Sequence, residues 1–90
     1  MRFEWDEQKA AANLAKHGVS FEEAKTVFDD RLYVDFYDPE YSGDELRYII
    51  IGESRPRRLL IVSYTERDEA TRLISAREVT STERETYEES

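Results

Sequence analysis

The 90-residue chain contains no cysteine, which excludes a disulfide scaffold, a thiol nucleophile and any cysteine-ligated zinc. With only three glycines it has no glycine-rich loop to cradle a nucleotide phosphate, so nucleotide cofactors are not expected. A lone histidine, His17, excludes a ribonuclease built on paired histidines. No apolar run approaches 18 residues and no signal peptide precedes the first polar segment, which gives an expectation of a cytoplasmic protein without a membrane partner. Acidic pairs such as Asp29-Asp30 and Asp35-Asp38 match no ligand loop, so no metal site is expected.

What is present is charge, unevenly placed. The net is −8, from 13 basic and 21 acidic residues. Residues 1–46 hold five basic and twelve acidic side chains, a net of −7. Residues 47–77 hold seven arginines against four acids, a net of +3, and residues 78–90 hold one arginine against five glutamates. An acidic total argues against nucleic acid as a partner, but only the middle segment bears on phosphate binding. Its basic residues are all arginine, whose planar fork suits phosphate. The acidic ends read as a docking surface for a basic partner.

The length admits one domain, with a core drawn from a hydrophobic content of 39%. Phe3 and Trp5 share one side of a short extended segment. Asp6 then caps a helix through Lys16, stopped by Gly18, with Ala10, Ala11 and Leu14 as its inward stripe. Ser20 and Glu23 have capping-box spacing at the start of a second helix, where Phe21, Ala24, Val27 and Phe28 recur at helical period. From Arg31 the pattern alternates. A turn at Asp38-Pro39 with Ser42-Gly43 is followed by extended runs over 46–53, 58–66 and 71–78. Short connections predict an antiparallel meander. Thr80 and Glu83 form another capping box, opening a helix over about 80–90 that ends in an acidic tail. Simple alternation places Arg72, Ile74, Ala76 and Glu78 opposite Thr71, Leu73, Ser75 and Arg77.

Arginines with Tyr64 and Glu66 suit metal-free cleavage of RNA: a base takes the 2′-hydroxyl proton, arginine stabilises the phosphorane charge and tyrosine or an acid protonates the leaving oxygen. An ordinary cross-strand ion-pair network explains the same residues. His17 has the imidazole of a general base, but its place between Lys16 and Gly18 at a helix end favours capping of the last carbonyls. Tyr33, Tyr37 and Tyr41, among acids, make a polar-aromatic surface suited to a protein partner.

Taken in order, Phe3-Glu4-Trp5-Asp6 with Lys9 and Asn13, then the run from Lys16-His17-Gly18 through Ala24, resemble the N-terminal signature of the BrnT toxins. The resemblance continues through Val27-Phe28-Asp29-Asp30, Glu45 with Arg47-Tyr48, Ile51-Gly52, Tyr64-Thr65-Glu66-Arg67, Ile74-Ser75-Ala76-Arg77, and Glu83-Arg84 with Tyr87. It implies an α+β, RelE-like fold: a short N-terminal strand and two helices on a four-stranded antiparallel sheet, plus a C-terminal helix. It also implies a ribonuclease toxin that arrests translation, neutralised by a DNA-binding BrnA-like antitoxin in a heterotetramer that contacts operator DNA only through the antitoxin. By this resemblance activity falls on His17, Arg47, Tyr64, Arg72 and Arg77, supported by Glu66, with Lys9, Lys16 and Arg67 toward RNA. The alternative is a non-catalytic interaction module whose acidic surface docks a basic partner.

Overall fold

Asp6 stops the first extended segment and starts a helix, its carboxylate accepting the backbone N–H groups of Gln8 and Lys9. The computed structural model describes residues 1–40, 43 and 45–90. Within them β1 (Arg2–Glu4), α1 (Glu7–His17) and α2 (Phe21–Ala24) are followed by a 3₁₀ turn over Lys25–Asp29. Then come β2 (Val34–Tyr37), β3 (Tyr48–Glu53), β4 (Leu59–Arg67), β5 (Ala70–Glu78) and α3 (Ser81–Glu88). The Ser42-Gly43 part of the expected turn has one residue, Ser42, outside the described set.

The meander is as expected, with β2 to β5 antiparallel in sequence order. The sheet nevertheless has five strands and is mixed. β1 lies parallel to β5, with Arg2, Phe3 and Glu4 opposite Ala70, Thr71 and Arg72. On one face Ile50, Leu60, Val62, Tyr64, Leu73 and Ala76 meet Val19, Phe21, Ala24 and Val27 from the helical layer. Phe3 packs edge-on against Phe28 at 5.1 Å, and Trp5 against Phe21 at 5.9 Å, which ties β1 to that layer. α3 packs against β3. Among the described residues no helix is long and apolar enough to cross a membrane.

β1 pairs β5 only as far as Arg72, and further along the edge, at Ala76, a side chain takes its place. Asn13, 7% exposed, donates from Nδ2 to the carbonyls of Ala76 (2.8 Å) and Val19 (2.9 Å), and its Oδ1 accepts the Ala76 N–H at 3.0 Å. The carboxamide thus pairs both backbone groups of one β5 residue, as a neighbouring strand would. The inward stripe of α1 is corrected accordingly. Leu14 is 52% exposed and Ala11 also faces solvent, while Asn13 points into the protein. Polar satisfaction of a buried strand edge outweighs burial of one leucine.

The second helix departs from its reading too. Ser20 accepts the Glu23 N–H, but the Glu23 carboxylate does not return to the cap. It binds Arg58 through two nitrogens, at 2.6 and 3.0 Å, and the Ser54 hydroxyl at 2.7 Å, joining α2 to the β3–β4 turn. Arg58 also donates to the carbonyl of Gly18, whose φ of 70° ends α1. The 3₁₀ turn after α2 lies so close to β3 that a Cβ on Gly52 would stand 2.9 Å from Val27 Cγ1.

β4 and β5 turn at Asp68 and Glu69, both with positive φ (50° and 65°), between the paired residues Arg67 and Ala70. This is a two-residue hairpin of the twist-matched kind that favours Asn-Gly.

Two outcomes follow. Asn13→Leu leaves the Ala76 N–H and C=O and the Val19 C=O without partners, and the unfolding free energy should fall by about 3 kcal/mol, with Tm lower by roughly 12–24 °C in a thermal melt. Unchanged Tm would refute the strand-closing role. Glu69→Gly relieves a left-handed glutamate, and should raise the unfolding free energy in urea titration by about 1 kcal/mol.

Candidate active site

Regular alternation along β5 cannot hold, because Leu73 and Ala76 both enter the core. The register shows why: Tyr64 pairs with Leu73 and Ser63 with Ser75, which leaves Ile74 as an extra residue in a bulge. Beyond it the parity of β5 is reversed. Arg72 lies opposite Thr65 and Arg77 opposite Ile61, so the two arginines lie on the same face of the sheet, against the simple reading. That face is the one away from Tyr64 and Val62.

On this face lies a cleft of about 300 Å³, lined by His17, Asp38, Glu40, Ile49, Ile61, Ser63, Ser75, Arg77 and Glu83. A second hollow of about 220 Å³ adjoins it, lined by Lys9, Ala12, Asn13, Lys16, His17, Ile74 and Ser75. The two share His17 and Ser75, so one furrow runs from α1 over the bulge of β5 to α3. Lys9 and Lys16 form no ion pair among the described residues, and the His17 imidazole makes no hydrogen bond there. Ser63 and Ser75 place two hydroxyls on the floor between them.

Arg77 is held rather than loose. Its Nη1 and Nη2 donate to the two carboxylate oxygens of Glu83 at 2.8 and 2.9 Å, and Nη1 also reaches the Glu78 carbonyl. Glu83 in turn accepts the Thr80 N–H, completing the capping box of α3. The hydrogen bonds from Arg77 hold the Glu83 carboxyl below its ordinary range against the opposing effect of burial. Glu83 is therefore ionised at neutral pH and orients the guanidinium; it has no proton to give.

The other sequence-derived residues lie elsewhere. Tyr64 is 5% exposed on the helical side, stacked on Tyr48 at 5.6 Å and edge-on to Phe28 at 5.1 Å. Its hydroxyl donates to Asp35 at 3.3 Å. Burial first, then the Asp35 charge, raise its pKa well above the usual phenol range. Glu66 accepts from Thr71 at the far end of β4, and Arg67 there pairs with Glu45. Arg72 binds Glu4 at 3.0 Å. Thr65 and Ile61, the partners of Arg72 and Arg77, are four residues apart, so the two arginines stand about 13 Å apart along the strand. Arg47 is half-buried just before β3, its carbonyl accepting the Asp38 N–H at 3.0 Å, and is not among the cleft-lining residues. Tyr33 and Tyr37 are 46% and 55% exposed on and beside the edge strand β2, while Tyr41 lies outside the described residues.

The structure thus brings together His17, Arg77, Lys9 and Lys16, and separates them from Tyr64, Glu66, Arg67 and Arg72. Ser63, Ser75, Asp38 and Glu40 join the site without having been singled out as site residues. Their signal is the register of β4 against a bulged β5, which no local pattern displays.

Comparison with known proteins agrees with this architecture. The crystal structure of the Brucella abortus ribonuclease toxin BrnT superposes with a TM-score of 0.68 at 26% identity, covering 90% of this chain and 99% of that one. No curated protein matches the chain. The model of a family described as the ribonuclease toxin BrnT of type II toxin–antitoxin systems matches residues 5–83. With a match of that length, over a mixed sheet and three helices shared with a solved BrnT structure, the chain belongs to the BrnT family of ribonuclease toxins.

Proposed function

We propose that this chain is a metal-independent endoribonuclease whose substrate lies in the furrow between α1 and α3. The observation that carries the reading is the shared cleft of His17 and Arg77, with His17 unengaged and two unpaired lysines leading into it. His17 takes the proton of a ribose 2′-hydroxyl, and that oxygen attacks the adjacent phosphorus. The guanidinium of Arg77, with N–H groups left over from Glu83, stabilises the charge growing on the phosphoryl oxygens. The bond to the 5′-oxygen breaks, leaving a 2′,3′-cyclic phosphate. Tyr64 faces the other side of the sheet and Glu83 is ionised, so the leaving oxygen takes its proton from water in the open cleft, and the hydroxide left behind takes back the proton that His17 had accepted. Lys9 and Lys16 hold flanking phosphates.

The antitoxin partner implied by a type II system is assigned to a different surface. On the β2 side Leu32 and Tyr33 just before the strand and Phe36 and Tyr37 within it are exposed, the strand having one neighbour, beside carboxylates suited to a basic partner of the BrnA kind. A second reading, a non-catalytic module, draws on the Arg77–Glu83 pair, which already neutralises the guanidinium.

Purified protein should shorten single-stranded RNA in EDTA and leave cyclic phosphate ends. His17→Ala should lower the rate by about 10²–10⁴-fold without changing the melting curve. A full rate in His17→Ala removes this mechanism. Arg77→Lys keeps the charge but not the fork, so it should retain RNA binding and lose most of the rate. An RNA-inert protein that still binds its antitoxin establishes the second reading.

A further inference from the structure

The furrow holds two carboxylates that phosphate binding does not call for. Asp38 and Glu40 line the same cleft as Arg77, and a carboxylate beside a phosphate site repels its ligand. Neither side chain forms an ion pair among the described residues. Asp38 is fixed: its N–H donates to the Arg47 carbonyl at the edge of β3, and its Oδ1 accepts the Glu40 N–H at 3.1 Å. This short turn sets where Glu40 begins, while both carboxylate oxygens of Glu40 are without a hydrogen bond among the described residues. Ile49 and Ile61 supply an apolar floor on which a base can lie.

We propose that Glu40 makes this cleft selective for guanine, with Asp38 positioning it; the proposal rests on the reading of the cleft as an RNA site. A carboxylate offers two acceptors side by side. On its Watson–Crick edge guanine alone offers two adjacent donors, N1–H and N2–H, which meet those acceptors as a parallel pair. Adenine and cytosine offer one amino N–H beside an acceptor nitrogen that repels the second oxygen. Uracil offers one N–H between two carbonyls. The charge that costs affinity for the phosphate chain is thereby returned at one base and at no other.

The test uses the full chain and single-stranded RNA in EDTA, uridine throughout except for one central guanine, adenine, cytosine or inosine. Guanine should raise kcat/KM by roughly tenfold or more, the scale of one bidentate base contact. Inosine, which lacks the N2 amine, should lose most of that gain, and Glu40→Gln should bring the guanine substrate down to the level of the others. Equal cleavage of all substrates overturns the proposal. So does a Glu40→Gln protein that cleaves all of them faster by the same factor, because the carboxylate then only repels RNA. If no RNA is cleaved, the ribonuclease reading fails, and the guanine reading is decided by equilibrium binding of 3′-GMP against 3′-UMP followed by NMR. Preference for 3′-GMP that is lost in Glu40→Gln upholds it, and equal binding overturns it.

Discussion

The carboxamide of Asn13 is the contact on which both the fold and the furrow depend. β5 is paired by β1 only as far as Arg72, and its edge at Ala76 would otherwise bury an open N–H and C=O. Satisfying that edge with a side chain from α1 fixes the rotation of the helix about its own axis. Residues at i−4, i+3 and i+4 from Asn13 are Lys9, Lys16 and His17, and helical geometry places them on the same side. All three line the hollow that Asn13 also lines. The structural amide and the three candidate RNA contacts are therefore consequences of one helical phase. The exposed Leu14 is the cost of that phase, since a rotation that buried it would carry the lysines and the imidazole away from β5.

A second constraint acts from the sheet. Without the extra residue at Ile74, Leu73 and Ala76 could not both reach the core, and Arg77 would lie on the face opposite Arg72. The bulge restores core packing at Ala76, which is the residue Asn13 clamps, and turns Arg77 into the cleft with His17. Bulges commonly re-aim a side chain next to a functional site. Here the re-aimed residue is then locked by Glu83, so helix α3 is capped and the arginine oriented by the same carboxylate.

Much of this was legible in the chain. The cap at Asp6, the stop at Gly18, the four-strand meander and the capping box at Thr80 rest on local chemistry, which sequence displays directly. Asn13 was legible as a residue but not as a clamp, because nothing near it indicates that a strand 63 residues away lacks a neighbour. Glu23 has capping-box spacing and still leaves its cap, drawn by an arginine in a distant turn that offers two hydrogen bonds instead of one. β1 was read as extended, yet its place at the sheet edge is decided by Phe3 packing on Phe28. Within the site, His17 and Arg77 could be singled out by residue type, whereas Ser63, Ser75 and Tyr64 are sorted by register and bulge alone.

Charge shows most plainly the difference between order along a chain and order in space. The arginine-rich middle and the acidic ends, separate in sequence, are largely paired in the structure. Arg55 meets Asp29, Arg58 meets Glu23 and Glu78, Arg67 meets Glu45, Arg72 meets Glu4 and Arg77 meets Glu83. Most of these arginines therefore hold the sheet to its surroundings and offer little net charge to a phosphate chain. The cations of the furrow that form no ion pair among the described residues come instead from α1, out of the half of the sequence with the most acid. If RNA binds there as proposed, through two lysines and one shared arginine with carboxylates on the far wall, it gains less from its phosphate backbone than an arginine groove would give. Selectivity in such a site has to come from contacts beyond the backbone, and among the described residues the groups placed to make them are those lining the cleft.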